Sequence, residues 1–238
     1  FEVLVGSPEA RWREIARRLL RPDHPFALHQ LLYEVVYDGE LGPVFFPEPA
    51  DIEGANATAL QRELGLPSYD ALFAWSVDEW EAFWHKTVAR LGIRLQKPYE
   101  RFVDLTQGPT APEWLAGAEM NIAESCFQAD GEQTAIVFQR EGGQLESMSY
   151  AALEMLCDRV ASGLVAAGFV PGDRIAVDMP MTAEAVAIYL GIVKAGCAVV
   201  AIADSFAAAE IATRLKIGSA QAVFTQDVIL RGGLQLPL

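Results

Sequence analysis

The sequence is poor in positive charge, in long apolar runs and in cysteine. Its 238 residues carry 18 Lys and Arg against 32 Asp and Glu, a formal net charge of −14. No basic stripe could follow a phosphate backbone, so we expect no nucleic-acid partner. No apolar run reaches the roughly 18 residues that cross a membrane, and we expect neither a transmembrane segment nor a secretory signal. The three cysteines (Cys126, Cys157 and Cys197) are too widely spaced for a disulfide framework or a metal knuckle, which favours a reducing, intracellular compartment.

The common catalytic signatures are also missing. The sequence contains no GxxxxGK[ST] phosphate loop, no GxGxxG after a strand, no HExxH zinc motif and no GxSxG nucleophile elbow. Hydrophobic residues make up 52% of the chain, which is far too apolar for a disordered protein. The residues alone therefore predict an acidic α/β protein with a helical segment at its start, and they identify no catalytic side chain and no metal ligand.

The two halves of the chain differ in composition. Residues 1–120 hold all five tryptophans and all three histidines, whereas residues 132–231 are rich in Ala, Val, Ile and Gly and contain neither Trp nor His. A shift of this size is typical of a domain boundary. We predict a helical N-terminal extension at residues 1–120 and the first part of an α/β domain at residues 121–238.

Apolar periodicity in the first half predicts amphipathic helices at residues 9–20 and 28–36. Residues 39–58 carry glycine and three prolines, and we expect them to form a surface loop. The segment Ser76–Glu79 has the spacing of a capping box, which predicts that a helix opens there. We expect that helix to bury an aromatic and aliphatic face made of Trp80, Phe83, Trp84, Val88 and Leu91.

The second half changes to the pattern of an α/β sheet. Two strand-like runs, residues 134–138 and 144–149, are separated by a glycine-rich turn and predict a hairpin. Further strands start near residues 174, 197 and 222, every 23 to 25 residues, with a helix between them. This spacing is typical of right-handed βαβ crossovers in a doubly wound, mainly parallel sheet. We expect Cys197–Ala203 to be a strand buried on both faces, and Cys157 and Cys197 to be small buried hydrophobic residues.

Five short segments resemble the adenylate-forming, or AMP-binding, enzymes in order and in spacing. Residues 147–153 (SMSYAAL) and 192–202 (IVKAGCAVVAI) are similar to the family's first two core motifs. Residues 168–176 (GFVPGDRIA) and 179–181 (MPM) resemble the stretch between them, and residues 114–121 (WLAGAEMN) resemble a segment at the start of acetyl-CoA synthetases. The similarity is greatest to plant acyl-activating enzymes of the acetyl-CoA-synthetase-like group.

The resemblance implies an acid–thiol ligase in its complete form. Such an enzyme activates a small-molecule carboxylate with ATP and Mg²⁺, releasing pyrophosphate, and then transfers the acyl group to CoA. The family's glycine-rich phosphate loop would lie beyond Arg231 and is not in this sequence. We therefore expect the chain to be the N-terminal portion of such an enzyme, to bind none of these ligands tightly and to be inactive by itself. The resemblance leaves a peroxisomal or a cytosolic location open.

The resemblance also implies where CoA could touch this chain. Acetyl-CoA synthetases place CoA near an FGGF segment and an arginine pair, and the matching residues here are 203–206 (ADSF) with Arg231 and Leu234. The candidate contacts are therefore Arg231, Ser205 and Phe206. The diglycine has become Asp204 and Ser205, and an added carboxylate is expected to repel phosphate.

Two other interpretations remain open. The chain could be a non-catalytic, truncated paralogue that acts as an interaction module, in which case the edge of the last parallel strand and an apolar helix face need a partner. A dinucleotide-binding dehydrogenase is a distant third, because the glycine fingerprint is missing.

Overall fold

The computed structural model describes residues 6–237, which divide into two compact units. The first unit ends at Trp80 and the second begins at Glu81. This division follows the density of contacts in the chain, whereas the boundary near residue 120 follows composition and stays a prediction. The described residues of the first unit form helices α1 (Pro8–Arg18), α2 (Phe26–Tyr37), α3 (Pro49–Gly54), α4 (Asn56–Glu63) and α5 (Tyr69–Asp78).

Helices α1 and α2 form the small core of the first unit. The Ser7 hydroxyl accepts a hydrogen bond from the Ala10 N–H and caps α1, as expected of serine at this position. Trp12 of α1 is 4% exposed and packs in one cluster with Val36 and Tyr37 of α2. Its indole Nε1 donates to the Val44 carbonyl at 2.8 Å, so the buried ring keeps a polar partner. Both predicted helices are confirmed.

Two expectations about the first unit are wrong. The proposed surface loop at residues 39–58 contains α3 and the start of α4. Pro49 opens α3 because its fixed φ suits the first helical position, and Asp51 accepts a hydrogen bond from the Glu48 N–H at 2.8 Å. Ser76 does not open a helix, because it lies inside α5 and its hydroxyl donates to the Phe73 carbonyl at 2.8 Å. Proline and serine are typical of helix ends, so apolar periodicity reveals neither α3 nor the continuation of α5 through Ser76.

The second unit contains the α/β part of the chain. Its elements are α6 (Trp80–Leu91), whose first residue is the last of the first unit, and then β1 (Arg101–Asp104), β2 (Glu113–Ala116), α7 (Ile122–Cys126), β3 (Thr134–Gln139), β4 (Leu145–Ser149), α8 (Tyr150–Ala166), β5 (Arg174–Asp178), α9 (Ala183–Lys194), β6 (Ala198–Ile202), α10 (Ala208–Gly218), β7 (Ala222–Phe224), β8 (Val228–Arg231) and β9 (Leu234–Pro237).

The segment before α7 differs from the sequence prediction in two respects. The antiparallel pair β1–β2 lies within residues 1–120, so this part of the chain is not purely helical. Helix α6 buries none of the side chains expected on its apolar face: Trp84 is 44% exposed and Leu91 64% exposed. Trp84 instead makes an edge contact with Trp114 of β2, with the ring centroids 6.1 Å apart. Aromatic contact here covers one side of the helix without enclosing it.

A three-stranded parallel sheet is the centre of the second unit. Its strand order is β6-β5-β7, and Ala176 of β5 lies beside Val200 of β6 and Val223 of β7. The α/β class and the parallel pairing of these three segments are therefore confirmed. Strand β6, however, is not buried on both faces: it occupies an edge, and only Ile202 among its residues is buried. The strand with four buried residues is the central one, β5.

Helices cover both faces of this sheet. Val199 of β6 packs into the cluster that contains Leu164 of α8 and Ile192 of α9. The next residue, Val200, lies against Gly218 of α10, where an added Cβ would be 2.9 Å from a Val200 methyl group. Because successive side chains of a strand point to opposite faces, α9 and α10 lie on opposite sides of the sheet. The sheet is thus doubly wound, as predicted.

Gly191 sets the distance between α8 and α9. A Cβ at this position would lie 2.6 Å from the Val160 Cβ and 2.8 Å from the Cys157 carbonyl oxygen of α8. We expect Gly191→Ala to destabilise the second unit by about 1–3 kcal/mol, because backbone must move to admit the methyl group. Urea unfolding followed by circular dichroism measures the change.

Gly163 of α8 provides the matched control for this substitution. It is exposed and an added Cβ would meet nothing within 4 Å. Gly163→Ala is expected to stabilise the protein by about 0.5–1 kcal/mol through helix propensity alone. Equal effects of the two substitutions would contradict close packing at Gly191.

Candidate functional site

The candidate site lies at the carboxyl edge of the parallel sheet. Strand β5 ends at Asp178 and strand β6 at Ile202, and the two residues are direct neighbours in the parallel register. From this edge the chain continues to α9 on one face and to α10 on the other. In doubly wound sheets such a divergence opens a crevice, which is where ligands of these folds bind.

Arg231 and the loop after β6 meet at this edge. The Arg231 Nη2 donates to the Asp204 Oδ2 at 2.7 Å, across 27 residues of sequence. The side chain of Asp204 is 17% exposed, whereas that of Arg231 is 52% exposed. The carboxylate of Asp204 is expected to repel phosphate, and in the structure it is bound to Arg231, the candidate residue for phosphate binding.

Asp178 places a second carboxylate beside this pair. It is 5% exposed, and its Oδ1 has no hydrogen-bond partner among residues 6–237. Burial first, and then the charge on Asp204, raise the pKa of Asp178 above its ordinary 3.8. Two acids therefore lie at this edge, and Arg231 is hydrogen-bonded to one of them, Asp204.

The other candidate contacts lie on the same loop. Phe206 is half-buried and its ring lies under the guanidinium of Arg214 from α10, 3.9 Å from the ring centroid. Ser205 is exposed between Asp204 and Phe206. Leu234 is directly opposite Arg231 in the β8–β9 pair and is 64% exposed. The structure thus brings Arg231 and the 203–206 loop together through Asp204, and it offers no second cation at Leu234.

Two charged residues of this region were not found from the sequence. Asp178 could have been suspected, because it is the one acidic residue at the end of the apolar run Ile175–Val177 and such an end points to the ligand-binding edge. Arg214 gave no signal, since an arginine on an amphipathic helix is ordinarily a solvated side chain.

An apolar cavity of about 360 Å³ adjoins the carboxyl ends of β5 and β6. Tyr189 is the one lining residue with a polar side-chain group. The lining residues are Val177, Met179, Pro180, Met181, Ala185, Val186, Tyr189, Leu190, Ala201 and Ile202. Its lining offers apolar contact surface and no charged side chain, and Arg231 is not among the lining residues.

Two of the three thiols of the second unit are buried. Cys157 is fully buried and Cys197 is 7% exposed, which confirms their predicted burial. Burial raises the pKa of the Cys157 thiol to about 11 and, together with Asp173, raises that of Cys197. Both side chains are therefore protonated near neutral pH and poorly nucleophilic.

Neither a metal centre nor a membrane helix is found in the part of the chain that the structure describes. Residues 6–237 contain no group of three or more His, Cys, Asp or Glu side chains placed to hold a metal ion. Within the same range, no helix combines the length and apolar character needed to cross a membrane.

Comparison with protein families matches three consecutive segments. Residues 123–235 match the AMP-binding enzyme family, and residues 69–126 match the acetyl-coenzyme A synthetase N-terminus. Residues 3–38 match a segment described as the SAM domain of the probable acyl-activating enzymes 17/18. These matches confirm the resemblance inferred from the sequence motifs.

Curated relatives extend the similarity to the whole chain. It is 37% identical to a probable peroxisomal acyl-activating enzyme 18 of Arabidopsis thaliana, over 100% of this chain and 36% of the relative. It is 36% identical to a hexanoyl-CoA synthase of Cannabis sativa, over 98% of this chain and 36% of the relative. The chain spans about a third of the length of these relatives.

A solved structure supports the fold. An acetoacetyl-CoA synthetase from Streptomyces lividans superimposes with a TM-score of 0.73 at 27% identity, over 83% of this chain and 32% of that structure. The arrangement of helices followed by a parallel sheet therefore matches part of a known ligase fold.

The environment of Asp178 predicts a pH-dependent stability. Because its pKa is raised in the folded state, ionisation of the carboxylate lowers the free energy of unfolding. This loss of stability grows as pH rises from 3.8 through the raised pKa. We expect Asp178→Asn to gain stability relative to the unmodified chain between about pH 4 and 7. Urea midpoints across that range measure the difference.

Asp173→Asn is the control of opposite sign. Asp173 accepts a hydrogen bond from the Val170 N–H at 2.8 Å, which lowers its pKa below 3.8. Its stabilising contribution is present above the ordinary value and is lost as pH falls through the lowered pKa, so the variant should be less stable at neutral pH. A pH-independent effect of Asp178→Asn would contradict the assigned environment.

Proposed function

We propose that this chain, whose residues 123–235 match the AMP-binding enzyme family, forms the N-terminal portion of an AMP-forming acid–thiol ligase. In the complete enzyme a carboxylate and ATP give an acyl-adenylate and pyrophosphate, and the CoA thiol then displaces AMP. Enzymes of this family use ATP and CoA, usually with Mg²⁺. The role we propose for this chain is to provide one wall of the CoA site.

The observation that carries the proposal is the meeting of Arg231 with the 203–206 loop at the carboxyl edge of the sheet. A guanidinium can bind a phosphate through charge-assisted hydrogen bonds, and 52% of the Arg231 side chain is exposed to receive one. Ser205 can donate its hydroxyl, and the half-buried Phe206 ring offers an apolar contact. We assign these three residues to CoA binding.

The residues of this chain do not fit the nucleotide and metal of the first half-reaction. The glycine-rich phosphate loop of the family does not occur in the sequence, and residues 6–237 contain no group of three or more His, Cys, Asp or Glu side chains placed to hold a metal ion. We therefore derive no adenylation step from this chain and assign none of its residues a catalytic role.

We further propose that the complete enzyme acts on a small-molecule carboxylate inside the cell, in the peroxisome or the cytosol. The name of the Arabidopsis thaliana relative places that protein in the peroxisome. The two buried, unpaired cysteines fit a reducing compartment.

The isolated chain is expected to release no pyrophosphate from ATP. The reaction depends on positioning phosphates by a loop that this sequence does not contain. A coupled pyrophosphatase assay with ATP, Mg²⁺, CoA and a series of acetate to long-chain carboxylates measures it, with an acetyl-CoA synthetase as positive control. Carboxylate-dependent turnover that scales with the amount of this chain would refute the expectation.

Weak CoA binding at the sheet edge is the second expected result. We expect Arg231→Gln to lower the affinity for CoA by about fivefold, because it removes the cation and leaves Asp204 uncompensated. Titration followed by ¹H–¹⁵N NMR measures the affinity and locates the perturbed amides. Arg159→Gln, which removes an exposed arginine of α8, is the matched control and should leave the affinity unchanged.

A further inference from the structure

The bond between Asp204 and Arg231 has a consequence for ligand binding that rests on the proposed CoA contact of Arg231. We propose that Asp204 sets the affinity of this edge for an anionic ligand: its carboxylate occupies the Arg231 guanidinium, and a ligand phosphate has to displace it in order to bind. The Asp204 carboxylate thereby competes with the ligand phosphate for the Arg231 guanidinium.

Within this ion pair, Asp204 is the more buried side chain and Arg231 is the one that solvent can reach. The Asp204 side chain is 17% exposed against 52% for Arg231, and their contact is 2.7 Å. The loop that carries Asp204 is closed by a hydrogen bond from the Phe206 N–H to the Ala203 carbonyl at 3.1 Å. A cation–π contact with Arg214 holds Phe206, two residues after Asp204. Asp204 is therefore held in place beneath a guanidinium that solvent can reach.

The backbone that carries Arg231 is also anchored. The Gly233 N–H, in the turn between β8 and β9, donates to the Glu141 Oε1 in the turn between β3 and β4 at 2.6 Å. Arg231 is the last residue of β8 and pairs with Leu234 of β9. Because the main chain is held on both sides of the turn, we expect it to stay in place when a ligand binds. The ligand phosphate then replaces the Asp204 carboxylate at the Arg231 guanidinium.

Asp178 makes this exchange unfavourable for a weak anion. It is buried, the charge on Asp204 acts on it, and its Oδ1 has no partner among the described residues. When a phosphate takes Arg231, two carboxylates remain close to it without the guanidinium that had compensated one of them. The pair therefore lowers the affinity of the edge for any anion, and removing the Asp204 charge should raise it.

CoA titration of the 238-residue chain and its variants, followed by NMR, tests the proposal. We expect Asp204→Asn, which keeps the shape of the side chain, to tighten CoA binding by about tenfold. The gain should vanish in the double variant Asp204→Asn with Arg231→Gln, because Arg231 is then no longer available. Asp204→Ser serves as a second variant, and urea midpoints establish that each variant is folded.

Asp227→Asn controls for the change in net charge, because Asp227 is exposed and precedes β8. An equal gain in Asp227→Asn and Asp204→Asn would overturn the proposal, since the effect would then be long-range. If Arg231→Gln weakens binding while both Asp204 variants leave it unchanged, the competition is refuted and the CoA contact stands. If no variant changes CoA binding, the proposed CoA contact fails, and the competition fails with it.

Discussion

Strand β5 is the constraint on which the second unit depends. Its residues Ile175 and Ala176 are fully buried, and Ile175 packs in one cluster with Leu164 of α8 and Ile192 of α9. Burying apolar surface at about 25 cal/mol per Å² favours this central position for an uninterrupted apolar run. Parallel pairing with β6 on one side and β7 on the other then fixes the height at which each strand ends. The positions of Asp178 and of the 203–206 loop follow directly.

An acidic residue at the end of a buried strand lowers the stability of the fold. Asp178 is one residue past Val177, which belongs to the main core cluster, and so its carboxylate is desolvated. A buried polar group without a partner opposes folding, and proteins usually avoid it outside functional sites. The Asp178 position is therefore better explained by the chemistry of the sheet edge than by packing, which an apolar residue would serve better.

Sequence reasoning succeeded where one local signal decided the structure. The 174, 197 and 222 strands and their helices had clear periodicity, and Ser149 and Thr182 cap α8 and α9 as their residue types predict. It failed where partners distant in sequence decide. Nothing in the sequence shows that β6 lies at an edge, because strand order is a tertiary property. The Arg231–Asp204 bond, which joins residues 27 positions apart, was equally out of reach.

The same local pair explains how an acidic protein could bind an anion at all. A net charge of −14 repels phosphates at long range, but physiological salt screens exposed charges beyond about 8 Å, so the groups within contact distance dominate. At the sheet edge these groups are two carboxylates and the guanidinium bonded to one of them. Affinity there depends on which anion holds Arg231 rather than on the total charge. Removing the carboxylate charge at position 204 is expected to change the anion affinity of Arg231 more than removing a distant charge. The reason is that the interaction energy between two charges falls with their separation and with screening by salt.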